Sequence, residues 1–86
     1  MNENIINSMA EADMKELRVP LIAVYEHPDG YPEKCVARIY DMGEPTDTVM
    51  VMDSVDEIRE DIELNTDMAF FPPGSDDVAS LAGVWL

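Results

Sequence analysis

The side chains able to do chemistry in this sequence are one cysteine, one histidine and a large excess of carboxylates. A nucleophilic thiol needs an imidazole within hydrogen-bond reach. Cys35 sits in a strand-like stretch and His27 at the edge of a turn, and 86 residues bring one of each together easily by chance. Cys35 therefore reads as a small buried hydrophobe. His27 reads as a solvated turn residue, because no second histidine and no cysteine at zinc-ligand spacing accompanies it. Asp76 and Asp77 follow Pro-Pro-Gly-Ser and offer at most a weak calcium pair, since the calcium loop with its glycine at position six is absent. Phosphate-cradling glycine loops and the Gly-x-Ser-x-Gly elbow are absent as well. The expectation is a protein that is not an enzyme, with no catalytic residues, no cofactor and no metal.

What remains is charge. Between residues 41 and 67 ten carboxylates face Arg59 as the single basic residue. Ser54 with Glu57 three positions later forms a capping-box pattern, which predicts a helix over about 54–64. Val55, Ile58 and Ile62 make its buried stripe, and Asp56, Glu57, Glu60, Asp61 and Glu63 fall on the other side. Asp56 with Glu60 and Glu57 with Asp61 are like-charge i, i+4 pairs, each costing about 0.2–0.5 kcal/mol. Five carboxylates on a helix about 15 Å long approach the charge spacing of a DNA strand, about 3.4 Å. That density suits a surface that competes with nucleic acid for a basic protein; solubility alone also accounts for it.

These residues must be positioned by an α+β fold. Ile6, Ala10, Met14 and Leu17 lie at helical spacing and predict an N-terminal helical extension over 1–18, ahead of a single domain over 19–86. Residues 19–27 are β-branched, aromatic and nearly continuously apolar, as in a central strand covered on both faces. His-Pro-Asp-Gly-Tyr-Pro-Glu is a turn. Residues 34–42 alternate, with Cys35, Ala37 and Ile39 on one side and Lys34, Val36, Arg38 and Tyr40 on the other. A turn is expected over 43–47 and a third strand over 48–52. Strands at 68–71 and 78–86 flank a Pro-Pro-Gly break. The predicted order is α-β-β-β-α-β-β, a mainly antiparallel sheet of about five strands with the capped helix on one face.

Composition narrows the partners. Hydrophobic residues make up 47% of the chain, enough for a core, and the formal charge is −14. Five basic residues are too few to release counterions from nucleic acid or anionic lipid. Direct nucleic-acid binding and membrane association are not expected. A single cysteine closes no internal disulfide, and residues 1–18 have neither a basic start nor an apolar run of signal length, so a cytoplasmic location is expected.

The stretch VYEHPDGYPEKCVARIYD at 24–41, the Pro-Thr that follows and VDEIREDI at 55–62 resemble a group of small uncharacterised bacterial proteins associated with mobile genetic elements. The likeness covers about residues 21–63, with an echo in the terminal Val-Trp-Leu. It implies an element-borne accessory protein and transfers no functional residue. Together these features predict a non-catalytic acidic binding protein, a nucleic-acid-mimicking inhibitor of a basic nucleic-acid-handling protein. Its expected contact residues are Asp56, Glu57, Glu60, Asp61 and Glu63, with Arg38 and Tyr40 as interface anchors. The alternative is a homodimeric assembly protein that pairs through the sheet face around Val36, Arg38 and Tyr40.

Overall fold

The computed structural model describes residues 3–86. In chain order the elements are β1 (Asn4–Ile6), two 3-10 turns (Met9–Glu11 and Met14–Glu16), β2 (Pro20–Glu26), β3 (Cys35–Asp41), β4 (Glu44–Met52), α1 (Val55–Asn65), β5 (Phe70–Phe71) and β6 (Leu81–Trp85). They form one six-stranded sheet in the order β1-β4-β3-β2-β6-β5, with α1 on one face. The β1–β4 pair is parallel and every other pair antiparallel. The α+β class stands and the sheet is mainly antiparallel, with six strands instead of about five because β1 adds a parallel edge.

The largest correction is at the N-terminus, where the expected helix is replaced by β1 and the two short turns. Residues 1 and 2 of that expectation lie outside the described residues. Ser8 Oγ accepts from the Ala10 N–H at 3.2 Å and Asp13 Oδ1 from the Lys15 N–H at 3.2 Å. Such local side-chain bonds compete with a continuous helix. Burial follows the turns instead of helical spacing. Ile6 and Met9 join the core while Ala10 is exposed, so this segment packs into the same core as the rest of the chain.

A second correction concerns the β3–β4 connection. The chain reverses over Met42 and Gly43, whose φ angles of 54° and 80° give the two-residue turn that suits the twist of a hairpin. β4 therefore begins at Glu44, inside the stretch expected as a loop. Pro45 is tolerated there because β1 pairs only with Thr48–Met50, leaving the outer side of β4 without a partner at Pro45. The two C-terminal strands are shorter than expected, at Phe70–Phe71 and Leu81–Trp85.

The sheet's period of two separates its faces. Ile6, Met50, Ala37 and Val24 form one cross-strand row on the helix side, with Ile39, Ile22 and Trp85 in the next. Ile58 and Ile62 of α1 close this core with no exposed surface. Each isoleucine contributes about 1.5–3 kcal/mol by its burial. Phe70 lies over Gly83, where an added Cβ would stand 2.2 Å from the ring, and its ring centroid is 5.2 Å from that of Trp85. Gly83 is thus required by a close approach that holds the short edge strand β5.

Candidate functional site

The helix α1 is built to present acid. Ser54 caps it as expected: its Oγ accepts from the Glu57 N–H at 3.2 Å, and its hydroxyl donates to Glu57 Oε1 at 3.3 Å. With Ile58 and Ile62 fixed against the sheet, Asp56, Glu60 and Glu63 fall within about 60° of one another on the outward side. All three are exposed, and Asp53 and Asp67 continue the exposed acid beyond each end. The one basic side chain on the helix, Arg59, places Nε 3.8 Å from Glu63 Oε2. Lys34 pairs with Asp53 at the helix start, and this partner holds the lysine's pKa above its ordinary value.

Two of the five expected helix contacts have structural work. Asp61 is half-buried, and its Oδ1 accepts from the Met9 N–H at 2.7 Å, which fastens the first 3-10 turn to the helix. Asn65 extends that junction, donating from Nδ2 to the Asp61 carbonyl at 2.9 Å and to Ser8 Oγ at 3.3 Å. Glu57 belongs to the cap. The acidic stripe left outside the cap and the Met9 junction is therefore Asp56, Glu60 and Glu63, the last paired with Arg59.

Arg38 and Tyr40 lie on the opposite side of the molecule, on the sheet face without a helix. The row Ile5, Val49, Arg38, Ala23, Val84 and Phe71 crosses all six strands there. Beside it the Tyr25 and Tyr40 hydroxyls share a hydrogen bond of 2.9 Å. Burial, then the bond to Tyr40, pushes the Tyr25 phenol up to about 12. Arg38 donates to the Thr46 carbonyl at 2.9 Å and pairs with Glu3, whose other oxygen accepts from the Tyr31 hydroxyl at 2.7 Å. The Tyr31 bond first and the Arg38 pair second hold the Glu3 carboxyl below its usual range, while the same bond raises the Tyr31 phenol. These groups and the 27–31 turn enclose an open basin of about 720 Å³. Glu3 and Tyr31 were not singled out from the sequence. Their link spans 28 positions and has no local signature.

A third cluster brings together three groups that lie apart in the sequence reading. Glu26 lies opposite Cys35 across the β2–β3 ladder, and the ligand atoms of Glu26, His27 and Cys35 all lie within 4.8 Å of one another. Strand alternation alone sends neighbours such as Glu26 and His27 to opposite faces. His27 has φ 51°, in the left-handed region, and this ends the alternation. Cys35 is buried, its Sγ 3.9 Å from the Asp53 carbonyl, and desolvation raises its thiol. Asp76 and Asp77 sit in an exposed turn, where Asp77 Oδ2 accepts from the Gly74 N–H at 2.6 Å. That contact closes the turn and accounts for Asp77 without an ion.

Among the described residues no helix is long and apolar enough to cross a membrane. Comparison with protein-family models, with curated proteins and with solved structures finds no match.

Proposed function

We propose that the protein is a non-catalytic binding protein that offers the outer side of α1 to a basic macromolecular partner. The observation that carries this reading is the stripe Asp56, Glu60 and Glu63, continued by Asp53 and Asp67 and answered on the helix by Arg59 alone. Evenly spaced, solvated carboxylates on a rigid element steer a cationic surface over long range and fix its orientation on contact. The resemblance to mobile-element proteins favours a nucleic-acid-handling enzyme as that partner, held off its substrate by mimicry of a phosphate strand.

The test is charge reversal confined to the stripe. Asp61 and Glu57 are left in place because they anchor Met9 and the cap. The triple variant Asp56→Lys, Glu60→Lys, Glu63→Lys is expected to keep its fold by circular dichroism and to lose salt-sensitive binding. Binding at the original strength in a folded triple variant rejects the reading.

A second reading is favoured by the helix-free sheet face. Ile5 and Phe71 at the two ends of its central row are 56% and 49% exposed, and a second copy seated on this face covers them. It puts the acidic helices on the outside of a dimer, away from each other. A dimer in sedimentation that dissociates with Tyr40→Asp supports this reading, and a monomer at every concentration removes it.

A further inference from the structure

We propose that Glu26, His27 and Cys35 form a three-ligand site for Zn²⁺ at the loop end of the β2–β3 hairpin. The chain has one cysteine and one histidine, and the fold brings both to one point beside a carboxylate, with all ligand atoms within 4.8 Å. Zinc takes sulfur at about 2.3 Å and nitrogen or oxygen at about 2.0–2.2 Å, so its ligands stand roughly 3.3–3.8 Å apart. Closing from the present spacing needs a shift of about 1 Å, and Glu26 and His27 are exposed at the strand end and free to rotate. Cys35 is held in the sheet and serves as the fixed ligand.

The chemistry of the set selects the ion. Thiolate and imidazole favour zinc over calcium or magnesium, which take oxygen. Glu26 faces Cys35 across the ladder and the thiol lies 3.9 Å from the backbone carbonyl of Asp53, whose own carboxylate is exposed, so a cation enters a negative field. Binding forms the Zn–S, Zn–N and Zn–O bonds and releases the Cys35 thiol proton to solvent. The imidazole binds neutral and the carboxylate ionised, so one proton leaves per ion bound. Three protein ligands leave a fourth position to water.

The test is titration of the full chain with Zn²⁺ and with Co²⁺ as its spectroscopic probe. The expected results are one ion per chain, a thiolate-to-cobalt charge-transfer absorption in the near ultraviolet, and no competition from excess Ca²⁺ or Mg²⁺. His27→Gly suits the positive φ, and Glu26→Gln is at an exposed position, so both variants keep the fold. Each is expected to weaken Zn²⁺ binding at least about tenfold, since outer partners of zinc ligands alone give losses of that size. Cys35→Ser is expected to remove the charge-transfer absorption. Full affinity in both His27→Gly and Glu26→Gln, or cobalt bound with no thiolate absorption, overturns the proposal and assigns any bound metal to surface carboxylates.

Discussion

Tyr25 joins β2 to β3 on the helix-free face through its hydroxyl, and its titration reports that contact. An unfolded tyrosine ionises near 10, whereas Tyr25 in the fold is held up to about 12 by burial and by Tyr40. A raised folded value means that the stabilisation is complete below the unfolded pKa and is lost as pH rises through the folded one. Alkaline titration of tyrosinate absorbance is therefore expected to show its last phase near pH 12, and Tyr25→Phe is expected to remove that phase. An unchanged profile in the variant contradicts the assignment. At this scale the sequence was partly legible. Alternation placed Arg38 and Tyr40 on the wetter side of β3, because a period of two is a local property. It carried no sign that Arg38 pairs with Glu3, 35 positions away, or that one left-handed residue brings His27 to Cys35.

Elements were legible wherever apolar periodicity or capping chemistry was strong. β2, β3 and α1 lie within a residue or two of expectation, and Ser54 caps α1 through Glu57. β1 was not, because three residues of strand in a polar surround carry almost no pattern, and its partner lies 44 positions on. The β3–β4 turn was misplaced because Met42 is a poor left-handed residue, and nothing in its type announces the turn. That mismatch yields a prediction. Met42 is 59% exposed, so Met42→Asn sacrifices little packing while easing φ 54°, and a gain of about 0.5–1 kcal/mol is expected in chemical denaturation. A loss of stability contradicts the turn assignment. The junction of α1 with the N-terminal turn gives another. Asp61→Ala removes a 2.7 Å bond from the Met9 N–H at a half-buried site and is expected to cost about 1–2 kcal/mol. Glu60→Ala, on the acidic stripe, is expected to stay within about 0.5 kcal/mol of the parent. Equal effects from the two substitutions contradict the division of the helix acids into structural ones and the stripe.

The whole molecule has two unlike sides. One carries α1 and its acid, and the other is the sheet face with its tyrosines, its arginine and its apolar row. A formal charge of −14 surrounds both, yet among the described residues only on α1 do exposed carboxylates line up on one rigid element. Like charges gathered in this way repel one another and contribute nothing to the core, which is built by Ile58 and Ile62 on the other side of the same helix. A cationic surface placed against the stripe relieves that repulsion, and its binding must weaken as salt screens it, since the Debye length falls from about 10 Å at 0.1 M to about 3 Å at 1 M. The most direct measurement is capture from an extract of the source cells by the parent chain and by the Asp56→Lys, Glu60→Lys, Glu63→Lys variant, at low and at high salt. The acidic stripe predicts a basic protein held by the parent at low salt, released at high salt and not held by the variant. A partner retained equally by the variant, or by the parent at both salt concentrations, contradicts it.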